Sequence, residues 1–271
     1  MTTDARQQPR GEMPFLDHLE ELRWRIIWSA GAVAVCTLVG FVLVNHFGVV
    51  QLLILPVQPL LDGQKLKYLS PADPFILVLK VSIVAGLILA SPVVAWQVWL
   101  FLVPALEPHE KKVIVPSLWL GVVLFLSGVA LAYFAALPLT LRFLMGFLSR
   151  SLEQQIVAGP YLGFVTRLLV SFGMIFELPV VVMILSAMGL ITPEFLRDKR
   201  RHAIVIITVA ASVISPGDVV SLTLMMMIPM IFLYELSIQL SKLIYRRKRK
   251  RGEEERQEPS REPPPGTVET R

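Results

Sequence analysis

The stretch FLDHLEELRWRIIWSAGAVAV, Phe15–Val35, decides the fold. Its first half gathers His18, Glu20, Glu21, Arg23 and Arg25, and its second half is apolar without a break. Wound as an α-helix, Phe15, Leu19, Leu22 and Ile26 fall on one stripe. Asp17 stands where an N-cap belongs, with Glu20 three residues on as in a capping box. Glu21 and Arg25 are four apart and positioned to pair. The stretch reads as a charged, amphipathic foot leading directly into a membrane span, which needs about 20 apolar residues to cross a ~30 Å hydrocarbon core.

The rest of the chain fits that reading. Of its 271 residues 54% are hydrophobic and 17% charged, below the roughly 25% charged of a soluble domain. The charges collect in short clusters between nearly uncharged intervals, the pattern of a polytopic membrane protein with one helical domain. Cys36, the only cysteine, reads as a small buried apolar residue. The first apolar run lacks a small-residue cleavage site, so it is expected to stay as the first span.

Six spans are expected: residues 25–45, 74–103, 113–136, 161–190, 203–214 and 219–241. The fifth is short, and SPGD, Ser215–Asp218, joins it tightly to the sixth. Pro92 and Pro179 are expected to kink or loosen the second and fourth spans. The apolar run Phe47–Leu61, interrupted by Pro56 and Pro59, reads as an interfacial helix on the outer surface. One side collects Arg6, Arg10, Arg23, Arg25, Lys111, Lys112, Arg197, Lys199, Arg200, Arg201 and the tail run YRRKRKR; the other holds Lys65, Lys67, Arg142 and Arg150. That asymmetry puts both termini in the cytoplasm. Lys80 and Arg167 are expected to snorkel to the outer interface. The division is therefore a cytoplasmic segment 1–14, a six-helix membrane domain 15–245, and a tail 246–271 that is basic, binds anionic lipid rather than nucleic acid, and then becomes disordered.

Three places could carry function. The foot of the first span is either a plain amphipathic turn or part of a recognition surface. The turn FLVPALEPHEKKVIVPS, Phe101–Ser117, puts Glu107, His109 and Glu110 on the same membrane side as Glu20 and Glu21. It is either a solvated loop or a cation-binding surface. Glu177, in FGMIFELPVVVMIL, lies deep in the fourth span, where a charge costs about 2.5–3.5 kcal/mol on insertion scales. It either bonds between helices or faces a wet cavity. No zinc-protease, nucleophile-elbow or phosphate-loop pattern is present. No enzyme, cofactor or metal site is expected.

Four segments in order resemble the TatC family, the multi-spanning core component of the twin-arginine protein translocase: HLEELRWR before the first span, SPVVAWQVWLFLVPALEPHEKK at Ser91–Lys112, FGMIFELP at Phe172–Pro179, and Arg200–Glu235 across the last two helices. The resemblance implies a receptor and scaffold in the cytoplasmic (inner) membrane. It would bind Arg-Arg signal peptides of folded proteins and assemble with TatA- and TatB-type single-span partners and with further copies of itself. Transport would be driven by the proton-motive force. It implies Glu21 and Glu110 as the signal-peptide carboxylates, with His18 and Arg23 beside them, and Glu177 as an intramembrane polar residue. For partner docking it points to the last two helices. There Leu222 replaces an expected polar residue, which leaves Ser212, Ser215, Asp218 and Ser221 as the polar contacts. Arginine suits such a site because its planar fork meets a carboxylate through two bonds, whereas lysine offers a point charge. The competing reading is a proton-coupled secondary transporter of a small solute using Glu177, although its usual internal repeat is not evident.

Overall fold

The computed structural model describes residues 15–61, 63–105, 108–146, 155–214 and 220–257. Among them the chain is all helical, apart from one isolated parallel bridge between Lys67 and Val157. The elements are α1 (Phe15–His46), α2 (Val49–Ile54), a 3₁₀ turn Gln58–Leu60, α3 (Asp73–Leu102), a 3₁₀ turn Val103–Ala105, α4 (Pro108–Leu131), a π segment Ala132–Ala136, α5 (Leu137–Gly146), α6 (Ala158–Phe176), α7 (Leu178–Ala187), α8 (Pro193–Asp198), α9 (Arg200–Ile214) and α10 (Val220–Gln257). Five stretches are long and apolar enough to span a membrane: His18–His46, Asp73–Leu102, Ile114–Gly146, Ala158–Ala187 and Met226–Arg246. The expected fifth span is α9, whose 15 residues rise only about 22 Å.

Several boundaries differ from the expectation for local physical reasons. Helix α1 begins at Phe15, so Asp17 lies inside its first turn and is not the N-cap. The third span does not end at residue 136. The π segment widens the helix, with the Leu137 N–H bonding to the Ala132 carbonyl. That register change lets Pro138, which lacks an N–H, enter the next turn without stopping the helix. The last helix continues beyond the expected span end at residue 241 to Gln257, so residues 252–257, expected to be disordered, are helical; residues 258–271 lie outside the described residues. Residues 246–257 are Arg, Lys, Glu and Gln apart from Gly252, and no proline intervenes before Pro259, so helix propensity carries the backbone onward. Pro92, Pro116 and Pro229 sit within continuous helices, whereas Pro179 accompanies a break. Residue Glu177 separates α6 from α7, its N–H reaching back only to the Met174 carbonyl at 3.2 Å.

The helices form a chain of neighbours. Helix α1 packs along α3, α3 on α4 and α6, and α4 on α6 and α7; α10 then packs on α7, α8 and α9. The α1–α3 contact is made by small residues. A Cβ on Gly40 would lie 2.8 Å from the Ser82 carbonyl, and one on Gly86 would lie 2.5 Å from the Thr37 Cα. Small residues let two backbones approach and gain dispersion contacts where lipid offers no hydrophobic drive between helices. Elsewhere α1 exposes Ile27, Val35, Leu38, Val39 and Val42, a surface suited to lipid rather than water. All five tryptophans (Trp24, Trp28, Trp96, Trp99 and Trp119) lie on α1, α3 and α4 in the half of the bundle nearest the Phe15 end, as in an interfacial aromatic belt.

The opposite end is capped. Gly48, at φ 63°, turns the chain straight after α1. Helix α2 and the residues after it bury Leu53 and Val57 against the bundle and leave Leu52 and Leu55 exposed, so the helical part of the expected run Phe47–Leu61 is shorter than the run itself. The hydroxyls of Tyr133 and Tyr161 donate to the Leu52 and Leu53 carbonyls at 2.6 and 2.7 Å, pairing groups that a helix C-terminus leaves orphaned. The backbone of Lys67 bonds to Ile156 and Ala158 at 3.0 and 2.7 Å, tying the two connections of that end together. At the other side of the bundle a buried hydrogen bond between Ser186 and Ser241, 2.8 Å, fixes α7 to α10.

Replacing Gly86 by Val should cost about 1–3 kcal/mol or more through overpacking against the α1 backbone. Gly31→Ala, where a Cβ meets nothing within 4 Å, should leave stability unchanged or slightly raised. Thermal unfolding of the two variants in the same detergent checks the contrast, which vanishes if α1 and α3 are not in close contact.

Candidate functional site

The α1–α3 packing carries the foot of α1 to the end of α3. The two helices run antiparallel, and two crossings set their register: Thr37 opposite Gly86, and His18 opposite Phe101. The rings of His18 and Phe101 stack at 4.5 Å between centroids and 16° between planes. Immediately beyond Phe101 the chain turns through Val103–Ala105 into α4. His109 and Glu110 lie in the first turn of α4, where the proline at position 108 needs no N–H partner and an acidic residue is favoured by the helix dipole. The Glu110 side chain and all of Glu107 lie outside the described residues.

Helical periodicity separates the acids at the foot of α1. Glu20 is exposed, whereas Glu21 is turned inward and half-buried. Arg25 Nη2 donates to Glu21 Oε1 at 3.0 Å, the pairing expected from the sequence. Their partnership is incomplete. Glu21 Oε2 and Arg25 Nε are buried and have no hydrogen-bond partner among the described residues. Arg23 is exposed and faces away from this pair.

A further residue belongs here that the sequence reading did not single out. Gln97, on α3, also keeps its Oε1 buried and unpartnered. Interpolating between the two crossings places Gln97 across from the turn Glu21–Arg25. Arg25 and Gln97 line one groove of about 340 Å³, whose remaining walls are apolar apart from Ser29 and include Leu22, Ile26, Val33, Val94 and Phe101. The available signal was a lone amide within the apolar run SPVVAWQVWLF, uninformative until the opposing helix is known.

The other candidates are elsewhere. Glu177, at the α6–α7 break, directs its carboxyl at α4; a Cβ on Gly121 would come 2.8 Å from Oε2. Gly121 thus makes room for that carboxyl, which has no hydrogen-bond partner among the described residues. Ser212 is exposed on α9 and donates to the Thr208 carbonyl of its own helix at 2.8 Å. Ser215 and Asp218 lie outside the described residues, as does the side chain of Ser221 in the first turn of α10. Lys80 and Arg167 are exposed. Among the described residues no group of three metal-ligating side chains occurs.

The fold and site define a multi-pass helical membrane protein with a polar, incompletely paired cluster at the end of the bundle that holds Phe15. Comparison with known proteins gives the family. Residues 17–229 match the model of the Sec-independent protein translocase protein (TatC). The chain is 39% identical over 239 residues to the TatC of Aquifex aeolicus, covering 88% of this chain and 98% of that one. It is 36% identical over 232 residues to the TatC of Carboxydothermus hydrogenoformans, covering 86% and 94%. A crystal structure described as the twin arginine translocase receptor TatC superposes with a TM-score of 0.74 at 39% identity, covering 84% of this chain and 99% of that one. The chain belongs to the TatC family of protein translocase components.

The stack of His18 on Phe101 gives a direct check. In a Cys36→Ala background, His18→Cys combined with Phe101→Cys should crosslink in native membranes with a short dimaleimide, whereas His18→Cys with Val44→Cys should not. Absence of the first product would contradict the register.

Proposed function

We propose that this chain is the signal-peptide receptor of its translocase and that Glu21 grips a guanidinium of an Arg-Arg pair. The supporting observation is the state of that carboxylate. It is half-buried at the end of α1, already accepts one guanidinium through Oε1, and keeps Oε2 without a partner among the described residues. In such partly desolvated surroundings a charge-assisted bond is stronger than in water. Glu110, from the first turn of α4, is the second carboxylate of this reading. His18 positions the foot of α1 through Phe101, and exposed Arg23 contacts lipid headgroups or the peptide's flanks.

The wider reading follows from family membership. The chain works without catalysing a covalent reaction. It spans the cytoplasmic (inner) membrane with both termini in the cytoplasm, and the clustering of basic residues at that end supports this orientation. The short α9 with α10 provides the docking face for single-span TatA- and TatB-type partners through Ser212, Ser215, Asp218 and Ser221. Several copies assemble, and the proton-motive force drives export. Glu177, opposite Gly121, acts in transport after recognition. The small-solute transporter reading is not favoured by the family relationship.

Glu21→Gln together with Glu110→Gln should abolish photocrosslinking of an Arg-Arg signal peptide to the inserted protein, and each single change should weaken it about tenfold or more, the scale of one charge-assisted bond. Undiminished crosslinking in the double variant would refute the site. Glu177→Ala should reduce export of a folded reporter while leaving that crosslink intact; normal export would assign Glu177 a structural part only.

A further inference from the structure

We infer that Arg25 is an internal stand-in for the substrate's guanidinium, and that Gln97 receives it when the substrate arrives. This rests on the recognition reading above and adds a specificity device to it. Among the described residues three buried polar atoms lack partners: Glu21 Oε2, Arg25 Nε and Gln97 Oε1. Leaving such atoms unpaired is costly, so the arrangement is one that a ligand improves. The three are complementary. Two are acceptors and one is a donor, on facing turns of α1 and α3.

A guanidinium that binds Glu21 through two parallel bonds needs both carboxylate oxygens. Arg25 occupies Oε1 through Nη2, so it must leave. On the opposite wall its groove offers the carboxamide oxygen of Gln97, buried and without a partner among the described residues; the groove's other polar side chain, Ser29, lies on α1 itself. Moving there pairs the Arg25 guanidinium with the carboxamide, while the incoming fork covers both oxygens of Glu21. The exchange is of hydrogen bonds alone, with no proton transferred; it adds one positive charge to the cluster, so Arg25 trades its carboxylate for a neutral amide acceptor and the incoming guanidinium takes over as the counter-charge of Glu21. Two orphaned acceptors are satisfied by one arrival.

An ammonium cannot drive the exchange. It presents no planar fork and can sit on Oε2 alone with Arg25 still in place, which leaves Gln97 Oε1 and Arg25 Nε unpaired. The discrimination between Arg-Arg and Lys-Lys is therefore set partly by Gln97, a residue that never touches the peptide. Gln97 is a positioning residue for Arg25.

The test is a double-mutant cycle on the full-length chain in nanodiscs, measuring affinities for synthetic Arg-Arg and Lys-Lys signal peptides. Gln97→Leu, which removes the acceptor but suits the apolar wall, should weaken Arg-Arg binding roughly tenfold and leave Lys-Lys binding unchanged. In an Arg25→Gln background the same Gln97→Leu change should have no effect on either peptide. An unchanged Arg-Arg to Lys-Lys ratio in Gln97→Leu overturns the inference. Persistence of the Gln97→Leu effect in the Arg25→Gln background also overturns it, because Gln97 would then contact the peptide itself. Equal binding of both peptides by the unsubstituted protein overturns the recognition reading beneath it. Binding by the double variant at the Arg25→Gln level shows that Gln97→Leu has not prevented folding.

Discussion

The close antiparallel contact of α1 with α3 is the constraint on which the rest depends. Among the helices described, α1 has one long-running neighbour, and lipid supplies no hydrophobic force to press two apolar helices together. What holds them is backbone proximity, made possible where Gly40 meets Ser82 and Gly86 meets Thr37. Fixing the register at that depth also fixes it at the end of the pair. His18 then falls on Phe101, and the turn carrying Glu21 and Arg25 falls opposite Gln97. A glycine contact in mid-membrane thus governs the geometry of a polar cluster several turns away.

The two ends of the bundle treat polar groups in opposite ways. At the capped end, orphaned carbonyls of α2 are satisfied by tyrosine hydroxyls, and the bridge of Lys67 to Val157 pairs further backbone groups. That end is closed. At the other end, among the described residues, three buried side-chain atoms are left without partners although an ion pair has formed among them. Unpaired groups in a low-dielectric setting mark an unfinished arrangement, and an unfinished arrangement of a carboxylate, a guanidinium and an amide is suited to exchanging guanidiniums. Glu177 repeats the theme deeper in the bundle, where Pro179 and Gly121 together make a break and a space for one carboxyl.

Much of this was legible in the sequence. Five of the spans follow from apolar length alone. The Glu21–Arg25 pair follows from i,i+4 spacing, and the 100° turn between neighbours separates Glu20 from Glu21. The interruption at Glu177 was signalled by Pro179. The misses have physical causes. The third span was expected to stop at residue 136 because the π segment that carries the helix past Pro138 has no sequence signature in AYFAA. The length of α10 was hidden because a charged tail rich in Pro and Glu, without apolar periodicity, read as disorder, while the helix propensity of Arg, Lys, Glu and Gln carried the backbone to Gln257. The tie of α2 to the bundle runs through tyrosines 81 and 108 residues away, which no local pattern reports. Gln97 was invisible for the same reason: one amide in an apolar run gains meaning only from the helix it faces.

The central claim is that a partly buried carboxylate at the end of α1 recognises guanidinium by shape as well as by charge. Calorimetric titration of the purified chain in nanodiscs, with a signal peptide carrying Arg-Arg and with the same peptide carrying two citrullines, separates the two contributions most directly. Citrulline keeps the planar outline but lacks the positive charge. The account predicts saturable binding of the Arg-Arg peptide, lost when Glu21 is replaced by Gln, and binding of the citrulline peptide at least tenfold weaker. Equal affinity for both peptides, or Arg-Arg binding indifferent to Glu21, would contradict it.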